Sequence, residues 1–199
     1  MSLRRSSDMV MRPLNFNSRT PGVLRLTALL AALLLAACVT RPPRQPETYY
    51  FDCDVPEGRF AEWNRTVKGS EVHISGTIEL IEPRRDPTWR PVANVFVTGK
   101  DPSFYAGLRL SVDSDSQDSV HVSLIGSTEA AGGDALISRP WRGETIPFSL
   151  VLTQSGELTV RAGDASRAVH VSPFEPQNVR LSCSTGQFKY RDVSVDVPK

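Results

Sequence analysis

Asp113-Ser114-Asp115-Ser116-Gln117-Asp118 sets three acids at positions one, three and six of a short polar run. Carboxylates this close in sequence suit two chemistries. Two of them flanking a glycosidic bond can work as acid and nucleophile, about 5–5.5 Å apart in the retaining arrangement. Several together can offer the oxygen ligands that Ca²⁺ prefers. The twelve-residue calcium loop does not fit, because Asp118 stands where glycine should turn the chain and Leu124 where a bidentate glutamate should close it. The plainer reading is a solvated turn between a strand ending at Val112 and one beginning at Val120. No metal or other cofactor is assigned, and Ca²⁺ at Asp113, Asp115 and Asp118 stays an open alternative.

Trp89 and Trp141 raise a question of binding. Thr88-Trp89-Arg90-Pro91 and Arg139-Pro140-Trp141-Arg142 each put an indole beside arginine and proline, outside any alternating run. In a loop an indole makes a flat platform for a sugar ring, and a neighbouring arginine can pair with an acidic sugar. The competing reading plugs both indoles into the ends of a core with arginine stems laid over them. Trp63, close to Phe60, reads as core. Arg109 and His121 fall at outward positions of strands and are further ligand candidates. His73, His121 and His170 each stand between two β-branched residues, so all three should point away from the core. Zinc would need them to converge from separate strands without local ligand spacing, so they read as independent. No serine occupies a nucleophile-elbow sequence and no Cys-x-x-Cys occurs.

The elements that position these residues have a period of two. In Glu71-Val72-His73-Ile74-Ser75-Gly76-Thr77-Ile78-Glu79-Leu80 the aliphatics take one face and the polar residues the other, the pattern of a half-buried antiparallel strand. It recurs at 108–112, 120–124, 148–152, 158–160, 169–171, 179–183 and 193–197. Turn signals separate the runs at Gly99-Lys100-Asp101-Pro102, 113–118, Gly132-Gly133-Asp134, Ser155-Gly156, Gly163-Asp164 and Ser184-Thr185-Gly186. Short strands at regular spacing, with no credible helix of ten residues, predict an all-β antiparallel β-sandwich.

Residues 146–197 add detail. Gly156-Glu157-Leu158-Thr159-Val160 follows one strand, and Val179-Arg180-Leu181-Ser182-Cys183-Ser184-Thr185-Gly186 leads into Phe188-Lys189-Tyr190-Arg191-Asp192-Val193. This order resembles the C-terminal half of concanavalin-A-like lectin and glucanase sandwiches, which implies a jelly roll and, by fold analogy alone, a sugar ligand. The spacing of Asp113, Asp115 and Asp118 is similar to the Glu-x-Asp-x-x-Glu strand of laminarinase-like glycoside hydrolases in that fold. Here aspartates replace both glutamates, and Ser and Gln replace the apolar residues of such a strand.

Leu35-Ala36-Ala37-Cys38 closes an uncharged apolar run over residues 26–37. At about 1.5 Å per residue that run covers roughly 18 Å, well short of a ~30 Å bilayer core. Five arginines and one aspartate precede Cys38, as in a signal peptide. The tetrapeptide resembles the lipobox of bacterial lipoproteins, which implies cleavage after residue 37 and lipidation of Cys38. The expected organisation is a signal peptide over 1–37, a lipidated cysteine and proline-rich tether over 38–48, and a β-sandwich over 49–199. The same resemblance implies, from Val39 standing where an aspartate would retain such a lipoprotein at the inner membrane, that the outer membrane is favoured, facing the periplasm. Removing the leader takes Lys+Arg from 23 to 18 and Asp+Glu from 22 to 21, so the net charge goes from +1 to −3. That balance argues against nucleic acid as a partner. With Cys38 lipidated, Cys53 and Cys183 remain, and in an oxidising compartment they are expected to bridge; two buried free thiols are the alternative.

The sequence therefore predicts a non-catalytic cell-envelope lipoprotein, held at the membrane by its lipid, whose sandwich binds a glycan or an envelope protein. A diverged glycoside hydrolase using Asp113, Asp115 and Asp118 is one alternative. A purely structural anchor or assembly accessory is the other.

Overall fold

Strands form where apolar and polar residues alternate, and in two places where they do not. The computed structural model describes residues 47–113, 119–127, 136–140, 143 and 145–198. Their ten strands are β1 (Thr48–Thr66), β2 (Val72–Pro83), β3 (Val92–Thr98), β4 (Tyr105–Val112), β5 (Ser119–Gly126), β6 (Ile137–Pro140), β7 (Thr145–Leu152), β8 (Glu157–Ala162), β9 (Ala165–His170) and β10 (Asn178–Asp196). All pairings are antiparallel, and no helix occurs among the described residues. The predicted all-β sandwich is the fold.

The two 19-residue strands β1 and β10 organise it. Residues 60–66 of β1 pair with 178–184 of β10, and residues 48–55 pair with 186–194. On its other edge β10 pairs first with β3 and then with β2. The ribbon thus serves both layers. One layer runs β6-β5-β4-β3-β10-β1 and the other β9-β8-β7-β2-β10-β1. Between them lie Val95, Leu108, Leu110 and Leu181 from the first layer and Ile74, Ile78, Leu150, Leu158, Phe188 and Tyr190 from the second. Burying a large aliphatic or aromatic side chain is worth about 1.5–3 kcal/mol, so this shared interior is what holds the layers together.

The expected turn at Ser184-Thr185-Gly186 is instead a bend within one continuous strand. Thr185 takes φ 53° there, and the register against β1 shifts between Val55 and Phe60, where Gly58 has φ 67°. A left-handed residue redirects an extended chain without reversing it. Gly186 is required at the bend, since a Cβ on it would lie 2.8 Å from the Glu82 carbonyl oxygen. Pairing with β1 on both sides of the bend keeps β10 extended. The hairpin signals at Ser155-Gly156 and Gly163-Asp164 do turn the chain, with Gly156 at φ 84° and Gly163 at φ 55°.

Cys53 and Cys183 form a disulfide, as the cysteine count predicted, with Cα atoms 6.2 Å apart and a sequence separation of 130. Cys53 belongs to the part of β1 in one layer and Cys183 to the part of β10 in the other. The bond therefore staples the layers beside the bend.

Candidate binding groove

Alternation places one set of side chains from the first layer outside. On β3 these are Val92, Asn94, Phe96 and Thr98; on β4, Tyr105, Arg109 and Ser111; on β10, Arg180, Ser182 and Ser184. At the end nearest the bend this surface sinks into a groove of about 410 Å³. Phe60, Trp89 and Arg90 stand over it, with Asn94, Arg109, Ser182 and Ser184 in its floor. Phe60 is 68% exposed and Trp89 45% exposed. Large apolar side chains left this bare, facing a polar floor, are the informative kind of exposure.

The floor is preorganised. The Asn94 amide donates from Nδ2 to Ser182 Oγ at 3.0 Å and accepts at Oδ1 from Arg109 Nε at 2.8 Å. The amide orientation is thereby fixed, and the Arg109 guanidinium is held to it through Nε. Ser184 Oγ donates to the Arg90 carbonyl at 3.0 Å, tying the Trp89 loop to the floor. From beneath, the Tyr190 hydroxyl crosses the core to lie between the carbonyl oxygens of Ser182, at 2.6 Å, and Asn94, at 3.1 Å. Burial pushes the Tyr190 phenol far above its ordinary pKa, so it stays a neutral donor under those two strands.

The walls are also held. Asp86 Oδ1 accepts from the backbone N–H of Thr88 at 2.8 Å and of Trp89 at 2.7 Å, an aspartate-closed turn that aims the indole. Arg84 donates to the Val55 carbonyl at 2.6 Å and pairs with Asp54 at 2.7 Å and Glu82 at 3.3 Å. The bond to Asp54 raises the Arg84 pKa further above its ordinary value. These contacts lock the bulged corner of β1 that leads to Phe60. A cavity of about 470 Å³ lies at this corner, lined by Asp54, Pro56, Glu57 and Arg84, but Asp54 and Arg84 are already committed to each other. In the groove, by contrast, no carboxylate among the described residues pairs with Arg90 or Arg109.

The sequence candidates divide among several places. Trp89 lines the groove with Arg109, and its exposure removes it from the core. His121 lies on the same face one strand beyond, opposite Ser111. Trp63 is partly buried against the core and tilts onto Tyr49 at 5.0 Å between ring centres. Trp141, Asp115, Asp118 and Cys38 lie outside the described residues. Asp113 follows β4 directly, and its N–H bonds to the Ser119 carbonyl at 3.0 Å. His73 on β2 bonds to Glu71 just before that strand, and His170 lies on the edge strand β9 of the other layer, so neither joins His121. Phe60, Asn94 and Ser182 were not singled out from sequence. Phe60 entered the sequence reading only as a neighbour of Trp63, and Asn94 is legible only once β3 is known to place it outward.

No protein-family model matches the chain and no curated protein sequence matches it. Solved structures do. An alginate lyase from Alteromonas sp. 272 superposes with TM-score 0.54 at 11% identity, over 79% of this chain and 90% of that one. An alginate lyase from Pseudomonas aeruginosa gives 0.47 at 14% identity over 65% of each chain, so this chain spans just under two thirds of its length. The Emp46p carbohydrate recognition domain gives 0.45 at 12% identity, over 74% and 86%. The chain is thus similar in fold to jelly-roll sandwiches.

Proposed function

We propose that this protein is a non-catalytic glycan-binding lipoprotein of the cell envelope, and that the Phe60–Trp89 groove is its binding site. The carrying observation is the pairing of two exposed aromatic walls with a preorganised amide and two guanidiniums that no carboxylate among the described residues pairs with. Sugar rings present apolar faces that stack on aromatic side chains, while Asn94, Ser182 and Arg109 can meet hydroxyls or a carboxylate at the ring edge. The fold shared with an alginate lyase makes polysaccharide the class to test first. The described residues that line the groove include no carboxylate, and its polar groups are amide, hydroxyl and guanidinium.

The test is affinity electrophoresis through gels containing alginate, polygalacturonate, laminarin or dextran. At least one polymer should retard the protein without releasing reducing ends. Replacing both Phe60 and Trp89 by Ala should weaken that retention roughly tenfold, about 1.4 kcal/mol, with the melting temperature preserved. Retention that survives the double substitution would exclude the groove.

For the chain as a whole, residues 1–37 are read as a cleaved leader, Cys38 as the lipidated first residue, 38–48 as a tether and 49–199 as the binding domain at the periplasmic face of the outer membrane. The disulfide between the remaining cysteines supports an oxidising compartment. Cys38→Ser should move the protein from the membrane to the soluble fraction. Mass spectrometry of native protein finding an intact leader would sink this assignment.

A further inference from the structure

We infer that the groove is one end of a longer track, and that its ligand is a linear anionic polysaccharide gripped along the chain rather than at a terminal sugar. This rests on the glycan reading of the groove. Strand register aligns Phe60, Ser184, Val92, Ser111, His121 and Ser138 in a single row across β1, β10, β3, β4, β5 and β6. Five strand spacings of about 4.8 Å give the row a length of roughly 24 Å, room for several linked rings. Past Val92 it holds only serine and histidine, all at least partly exposed. A chain leaving the aromatic walls therefore meets no bulky described side chain in the row before the edge strand. A terminal-sugar site would instead be closed where the chain has to leave.

Charge supplies the ligand class. On one side of the track Asp113 follows Ser111 by two positions; the row on the other side is Glu62, Ser182, Asn94, Arg109 and Ser123. Its one acid, Glu62, lies at the β1 end and is paired with Arg180 at 3.4 Å. Arg109 stands midway along the track, and Arg90 stands over its start. A neutral chain has no group to match these guanidiniums, whereas a uronate offers each a carboxylate.

The test titrates the full chain, purified in detergent, with alginate and polygalacturonate oligomers from disaccharide to octasaccharide, and with neutral laminarin oligomers. Affinity should climb more than tenfold between disaccharide and octasaccharide of an acidic series. Ser138→Glu, on an exposed position of the far strand, should weaken the octasaccharide about threefold, as one exposed charge does. It should leave the disaccharide unchanged, and Ser138→Arg should act in the opposite direction. Equal affinity at every length, or indifference to both Ser138 substitutions, overturns the track while leaving the groove in place. Preference for laminarin overturns the anionic class. Failure of every oligomer and polymer to bind overturns the track and the glycan reading together.

Discussion

The Asp86 carboxylate accepts two successive backbone N–H groups and so decides where the Trp89 ring lies. Each such bond contributes about 1 kcal/mol net to the ordering of its loop. Asp86→Ala should let the loop move: polysaccharide retention should fall several-fold, and acrylamide should quench Trp89 more strongly in protein whose Trp63 and Trp141 are Phe. Asp86→Asn keeps an acceptor oxygen and should preserve both. Equal quenching in the Ala and Asn variants would remove Asp86 as a positioning residue. At this scale the sequence was informative about Trp89 and Arg109, an indole and a cation outside the apolar pattern. It was silent on Asn94, because a lone amide in Val92-Ala93-Asn94-Val95-Phe96-Val97 shows its partners, Ser182 and Arg109, only across two strand pairings.

Among the elements, alternation exposed β2, β4, β5, β7 and β8 because each buries one face. The apolar residues of β3 occur on both faces, so its period is blurred. In β1 the run is broken by Pro56 and Gly58, residues that the bulge at the corner requires. The bend in β10 was misread because Ser-Thr-Gly signals a turn equally well when the chain merely changes layer. The staple beside that bend carries a prediction. Reduction, or Ala at both Cys53 and Cys183, should lower unfolding free energy by about 2–5 kcal/mol, the usual range for a native disulfide closing a long loop. Urea titration with and without reductant measures it. No shift in the midpoint would mean that the two layers hold their corner without the covalent link.

For the molecule as a whole, the fold class was legible from period and turn spacing, since nearly every described strand has to bury one side. The groove was not legible, because it is assembled from β1, β3, β4, β10 and the loop before β3, brought together by pairings between distant parts of the chain, Ser184 lying opposite both Phe60 and Val92. Those pairings also settle where the domain can be handled. Thr48 lies opposite Ser194, so the strand that enters the domain and the strand that leaves it meet at one pole, about 23 Å along β1 from the corner next to the groove. A biotin or affinity handle attached after the last strand would therefore share the pole where β1 begins. Protein captured on a sensor surface through such a handle should turn its aromatic-lined face to the solution, the orientation in which polymer binding is best measured.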